Sequence, residues 1–427
     1  MKSGIFERNG IAAFFSVGAG AVLLTSALQL FATALIARSS GLGTLGELSL
    51  LTGVQQSMLL IDGGASLMVQ VAKPGTQAQS DAAWLASRGH RRALYCCLSA
   101  ALLVSVLVGV GTIRMALGIA LLLVLIALPI VYQVKIATGW LRQNGDMTRA
   151  QVAESQLLLG PALGLVVGAL LGQPIVGQGA GFLAMAICSF SVVGSGWKPM
   201  VALARDRVAP PGAVFETARK LYLVNVFTGG RDMIFRFSTV LFWGLEIGGV
   251  LGALTRVARL ARAVLISGST GLTSHFMRMD AVAARKTLLR MVFVLAGLGS
   301  LMTIVVLALS RPLIAVLLDS QIGLVEGLVV LGVLMVTSTL DAMAAPPYRY
   351  ILGSRPPRSY LAVTLLGLVA IAPISLLLNQ TLTDSPGLAA LPILLSSVLV
   401  GGFTVRLGLR RATSSIEKEP LPAGQKK

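Results

Sequence analysis

Five arginines and one aspartate stand inside otherwise apolar sequence between Lys220 and His275. They are Arg231, Asp232 and Arg236, then Arg256, Arg259 and Arg262. The stretch reads as two membrane-crossing helices with a turn near Gly248 and Gly249. A charge at the bilayer centre costs roughly 2.5–3.5 kcal/mol on insertion scales. These groups are therefore expected to face a watery cavity, and a cationic cavity suits an anionic passenger. At ~1.5 Å per residue, Arg231 lies ~16 Å in from Lys220 and Arg259 ~16 Å back from Gly248. Half of a ~30 Å hydrocarbon core is ~15 Å, so both guanidinium groups start at the midplane, where transporters hold substrate. Asp232 and Arg236 have the spacing and order of an intrahelical ion pair. Arg256, Arg259 and Arg262 step by three and fan across one broad face. Two blander readings stand beside this one. Arginine stems are long enough to snorkel to an interface. Arginines at every third residue also mark voltage sensors, although three is few and no pore-like segment follows.

The elements that position these residues are membrane helices. The chain has 427 residues, 55% hydrophobic and 12% charged, with mean hydropathy +0.83, and its apolar runs are too long and numerous for one soluble core. The formal net charge of +18 does not point to nucleic acid, because the basic residues fall at the ends of apolar spans. Cys96, Cys97 and Cys188 form neither a metal-ligand spacing nor a disulfide framework. His90 and His275 are expected near the cytoplasmic surface.

The first span, Ile11 to Ile36, is too long for a signal-peptide core and reads as a retained helix. Further spans follow from about Gly43 to Val69, Leu94 to Thr112 and Met115 to Val134. Gly172-Gln173-Pro174 divides the charge-free stretch from Ser155 to Trp197. Gly160, Gly164, Gly168 and Gly172 recur every four residues, a face for close helix contact. Lys198 to Lys220, with Pro210-Pro211, reads as a linker. The second half adds spans near Met291–Leu309, Gly327–Ala344, Tyr360–Leu378 and Ala389–Val405, with Asp341 near the cytoplasmic end of its helix. Of the 35 lysines and arginines, 27 fall on one side and only Arg38, Arg114 and Arg311 on the other. The positive-inside rule then places both termini in the cytoplasm.

Residues 41–54 and 244–257 agree at seven of fourteen positions with an offset of 203, including Gly41/Gly244, Leu42/Leu245 and Gly46/Gly249. The expected fold is an all-α polytopic membrane protein. Its twelve transmembrane helices form two six-helix lobes, residues 1–205 and 206–412, related by pseudo-two-fold symmetry, with a disordered tail over 413–427. The offset pairs Gln29 with Asp232 and Gln56 with Arg259, so the cationic group belongs to the second lobe only.

Several stretches resemble the polysaccharide-export branch of the multidrug/oligosaccharidyl-lipid/polysaccharide exporter superfamily. They are Leu35-Ile36-Ala37-Arg38 through Gly46 with Asp62-Gly63-Gly64, then Gly139-Trp140-Leu141-Arg142-Gln143-Asn144-Gly145-Asp146, and Arg231-Asp232 followed by Gly249 and Arg256. Leu251 departs from the pattern, since an aromatic residue is common there, and the first helix lacks the arginine of the related lipid II flippases. The resemblance implies a flippase that carries undecaprenyl-pyrophosphate-linked oligosaccharide across the bacterial inner membrane for cell-surface polysaccharide. Working partners would be membrane lipids and polysaccharide polymerase and export proteins, not nucleic acid.

The chemistry agrees with that expectation. Guanidinium groups grip phosphate through forked donors. Arg231, Arg256 and Arg259 are the expected phosphate binders, with Gln29 and Gln56 meeting sugar. Asp232 would hold Arg236 or take part in ion coupling. No cofactor is expected, no phosphate-binding GxxxxGK[ST] motif is present, and coupling would be to a proton or sodium gradient. A multidrug or organic-cation antiporter is the alternative, and it would want acidic rather than basic groups in the cavity. A glycan polymerase or ligase would want a large outer loop, and an unrelated anion transporter or scaffold is the remaining class.

Overall fold

The computed structural model describes residues 4–58, 68–69, 77–144, 146–205, 212–267, 281–318, 322–353, 358–381 and 386–418. Asp62-Gly63-Gly64, Pro210-Pro211, His275 and the last nine residues lie outside them, as does the side chain of Gln56. The described residues are helical almost throughout. In chain order the helices are α1 (Gly4–Met58), α2 (Gln77–Gly109), α3 (Met115–Gln143), α4 (Met147–Leu170), α5 (Pro174–Arg205) and α6 (Gly212–Ser267). There follow α7 (Ala281–Ala308), α8 (Ser310–Leu318), α9 (Leu324–Gly353), α10 (Arg358–Val369), α11 (Ile371–Thr381), α12 (Pro386–Ala389) and α13 (Leu391–Lys418).

Ten helical segments among the described residues are long and apolar enough to cross a membrane. Large apolar side chains such as Leu102, Leu171, Leu241 and Phe293 point outward, which suits lipid rather than water. This is a multi-pass membrane protein. The two longest segments, Gly20–Gln55 and Ala218–Ile266, each carry a break. Gly41 (φ 79°, ψ 176°) interrupts α1, and Gly244 (φ 89°, ψ 169°) interrupts α6. Both take up the positive φ that only glycine adopts freely. The portions are α1a (4–40) and α1b (42–58), α6a (212–243) and α6b (245–267).

Gly244 corrects the expected turn. The chain breaks there and not at Gly248-Gly249, which are helical. The 203-residue offset reappears in this geometry, because the two breaks are the offset pair Gly41/Gly244. The α1b–α6b contact beyond them is reciprocal. A Cβ on Gly46 would sit 2.2 Å from the Leu245 carbonyl oxygen, and one on Gly249 would sit 2.2 Å from that of Leu42. Backbone meets backbone where only hydrogen fits. Leu48, Leu51, Leu251 and Leu254 pack dry alongside.

α4 and α5 meet through a second glycine face. A Cβ at Gly164 would lie 2.1 Å from the Gly177 carbonyl oxygen, and one at Gly181 2.2 Å from that of Gly160. Gly172, the fourth member of the expected series, serves instead as the turn, at φ 72°. Gly164→Ala should therefore push the helices apart at a cost of about 1–3 kcal/mol. A lowered Tm of the purified protein is the expected readout. Gly402→Ala, where a Cβ meets nothing within 4 Å, should leave Tm unchanged or slightly raised.

The Gly139–Asp146 stretch has a structural task. The Asn144 side chain donates to the Trp140 carbonyl at the end of α3, and Asp146 caps α4 by accepting from the Arg149 amide. Arg142 pairs with Glu154 at 2.5 Å, tying the two helices together. The segment read as a tail from Thr413 continues α13 as helix through Lys418.

Candidate functional site

The break at Gly244 folds α6 back on itself, so arginines distant in sequence become neighbours. Arg259 Nη2 on α6b donates to Asp232 Oδ2 on α6a at 2.9 Å. The expected intrahelical pair is thus replaced. Arg236 donates to Ser49 Oγ on α1b at 2.6 Å instead. Asp232 takes its partner from across the break because α6b lies against it, while α1b draws Arg236 away.

A second ion cluster forms around Asp341 on α9. Arg262 Nη1 stands 3.0 Å from Asp341 Oδ2, and Arg231 Nη1 stands 3.6 Å from Asp341 Oδ1. Arg231 also donates to Ser397 Oγ on α13. One carboxylate therefore bridges α6a and α6b, with one oxygen toward each. Asp341, expected near the cytoplasmic end of its span, stands inside α9, which continues to Gly353, and α9 packs against α6 and brings it to the arginines.

Arg256 faces the other way. It donates to Thr33 Oγ1 and to the Gln29 backbone carbonyl on α1a. Gln29 is thus engaged through its main chain. Gln55 belongs to a buried amide pair and accepts from Gln178 Nε2 at 2.8 Å.

Exposure divides the cluster. Arg231 and Asp341 are sealed, their side chains 6% and 9% exposed. Arg259, Asp232 and Arg262 are open by about a quarter to a third, at 26%, 33% and 34%. Arg231, Arg259 and Arg262 share two aspartates while Arg236 and Arg256 bond neutral groups on α1, so the region keeps a formal excess of positive charge. Its open edge is formed by Arg259, Asp232 and Arg262. Away from that edge, Arg236 lines a narrow gap with Ser49, Thr239, Gly252 and Thr255, too tight for a water-sized group.

Sequence reasoning found the arginines because charge inside an apolar span is conspicuous. It missed Ser49, Thr33 and Ser397, which are ordinary small residues of apolar helices. It placed Asp341 on its helix but did not find its role. A lone aspartate inside a span is itself the signal that finds it. Among the described residues no group of His, Cys, Asp and Glu is arranged to hold a metal.

The fold and the site together define a polytopic all-helical membrane protein with a charged cluster beside a broken helix. Neither a protein-family model nor a curated protein matches the chain. Solved structures do. An inward-facing multidrug resistance MATE family transporter of the MOP superfamily aligns over 94% of this chain and 100% of its own, at TM-score 0.68 and 13% identity. The MATE multidrug transporter DinF-BH aligns over 98% and 97%, at TM-score 0.67 and 15% identity. A MOP superfamily transporter from Pyrococcus furiosus, for which reverse polarity of the binding pocket suggests a different function, aligns over 95% and 96%, at TM-score 0.64 and 13% identity. The chain has the fold of the MATE transporters.

Proposed function

We propose that the protein is a secondary transporter that works by alternating access and carries an anionic, lipid-anchored substrate. The specific reading is a flippase for lipid-pyrophosphate-linked oligosaccharide, serving cell-surface polysaccharide in a bacterial inner membrane with both termini cytoplasmic. A proton or sodium gradient as driving force, and polymerase and export proteins as partners, belong to the same proposal. So do Arg231, Arg256 and Arg259 as phosphate binders and Gln29 and Gln56 as sugar contacts.

The observation that carries the anionic reading is the excess of arginine over aspartate in one membrane-embedded cluster. Held away from bulk water, a guanidinium gains more from a phosphate than it would at a surface. The second reading, a multidrug or organic-cation antiporter, is supported by what the structural neighbours are: two of those described above are multidrug transporters. The neighbours by themselves favour that second reading. The sign of the charge favours the first.

Glycan export separates them. In cells lacking the chromosomal copy, Arg259→Ala should reduce export at least about tenfold relative to wild type, the effect of losing one charge-assisted contact of roughly 1.5–3 kcal/mol. Lipid-linked oligosaccharide should accumulate on the cytoplasmic leaflet. Arg259 is a sharper probe than Arg231, whose sealed side chain also supports α9 and α13. Normal export by both Arg259→Ala and Arg231→Ala would remove the flippase reading. Cation resistance that survives loss of the arginines and fails in Asp232→Asn would establish the antiporter.

A further inference from the structure

We propose that Asp341 is a built-in competitor that occupies the anion site between Arg231 and Arg262 while the carrier is empty, and that the phosphate of the substrate displaces it. This rests on the anionic reading above and assigns a release device to the same site.

The geometry of Asp341 is that of a bound anion. Its two oxygens address two guanidinium groups from either side of the Gly244 break, at 3.6 Å from Arg231 and 3.0 Å from Arg262. A phosphate bridging two arginines would present its oxygens in the same way. The contact to Arg231 is too long for a hydrogen bond, so this half of the bridge is an ion pair without a directed bond. Arg231 also has spare capacity: its Nε is buried and has no hydrogen-bond partner among the described residues. A buried guanidinium donor without an acceptor is costly. A substrate oxygen would fill that place, and Asp341, already committed on its other side to Arg262, does not.

Such an arrangement answers a difficulty of any carrier. Arginines strong enough to draw a lipid phosphate into the membrane would also retain it. A tethered carboxylate lowers net affinity and returns to the arginines on release, so substrate exchange never leaves two guanidinium groups bare in a low dielectric. The location supports the role. Asp341 is 9% exposed and lies behind Arg262, which is 34% exposed, so an incoming anion meets Arg262 before it meets the carboxylate.

The test uses full-length purified protein in detergent, with farnesyl pyrophosphate as the anionic probe, farnesol as its neutral counterpart and a lipophilic alkylammonium as the cation. Binding is measured for wild type, Asp341→Asn and Asp341→Thr. The expected result is preference of the wild type for the pyrophosphate over farnesol, and affinity at least about tenfold higher in both variants. Transport should slow in the same variants, because release becomes limiting. Equal or weaker pyrophosphate binding by the variants, with the wild type binding normally, overturns the competitor role and leaves the anionic reading standing. No preference of the wild type for pyrophosphate over farnesol, or a preference for the cation, overturns the anionic reading and the competitor with it. Failure of both neutral variants to fold also overturns the competitor role, since a carboxylate that the fold cannot spare cannot be given up to a substrate.

Discussion

Gly249→Leu is expected to leave the protein folded and inserted but to reduce the proposed transport by one to two orders of magnitude. The position has no room for a side chain, since a Cβ would stand 2.2 Å from the Leu42 carbonyl oxygen. The obstacle is backbone, which no rotamer change relieves. Overpacking of this kind costs about 1–3 kcal/mol, and it does so only in a state that contains the α1b–α6b contact. A state in which these helices separate is not penalised. The equilibrium between the two therefore shifts by roughly 5- to 150-fold, since each 1.4 kcal/mol is a factor of ten. The contact lies just beyond the breaks at Gly41 and Gly244. On the proposed orientation that is the outer end of the protein, so the variant is trapped open to the outside.

A membrane-impermeant thiol reagent reads this directly. With Ser49→Cys in a background lacking Cys96, Cys97 and Cys188, labelling from outside should rise several-fold when Gly249→Leu is added. Gly46→Leu should act alike, because its Cβ meets the Leu245 carbonyl oxygen at the same 2.2 Å. Gly43→Leu is the control: nothing lies within 4 Å of its Cβ, so transport should be close to normal. Wild-type transport by Gly249→Leu would mean that the seam never needs to close.

Parts of this seam are legible in sequence and parts are not, for a physical reason. Glycines that must approach another backbone leave a mark, because nothing else fits. Gly41, Gly46, Gly244 and Gly249 therefore stand out as a repeat with a 203-residue offset. The arginines stand out as well, since charge in an apolar helix has to be compensated. What sequence could not supply is partner choice. Asp232 had two candidate mates, Arg236 by helical spacing and Arg259 by fold. An exposed intrahelical pair is worth only a few tenths of a kcal/mol, so tertiary packing decides. The i,i+4 rule predicted Arg236, and the fold gave Arg259. The turn was misplaced by a similar cause. Gly244, Gly248 and Gly249 are equally permissive locally, and only the reciprocal contact with Leu42 assigns Gly249 to a helix and leaves Gly244 for the break. Asp341 and Ser397 are separated from Arg231 by more than a hundred residues, and no local period connects them.

The Asp232–Arg259 pair leads to the second large expected effect, a charge-reversal cycle. Asp232→Arg should sharply reduce the yield of folded protein, because it turns an attraction at 2.9 Å into a repulsion. Two charges ~4 Å apart interact by about 4 kcal/mol at an effective dielectric of 20. The side chains are 26% and 33% exposed, so solvent screening reduces that figure. The reversal still adds a sixth arginine to a cluster with one aspartate left. Arg259→Asp alone should be milder, since Arg262 and Arg231 remain to meet an added carboxylate. The double variant, Asp232→Arg with Arg259→Asp, restores opposite charges across the break and should recover most of the yield and Tm. Asp232→Arg with Arg236→Asp should not, because Arg236 points to Ser49 on α1b. Rescue by the Arg236 exchange and not by the Arg259 exchange would assign the pair to a single helix and undo the folded-back arrangement of α6. Recovery of fold in the Arg259 exchange also isolates function from stability. The rescued protein has the charge of the wild type but presents its guanidinium on α6a instead of α6b. If a substrate phosphate is gripped by Arg259 from α6b, transport stays low in this well-folded variant. If it returns with the fold, the pair is a strut between the two arms of α6 and the grip lies with Arg262 and Arg231.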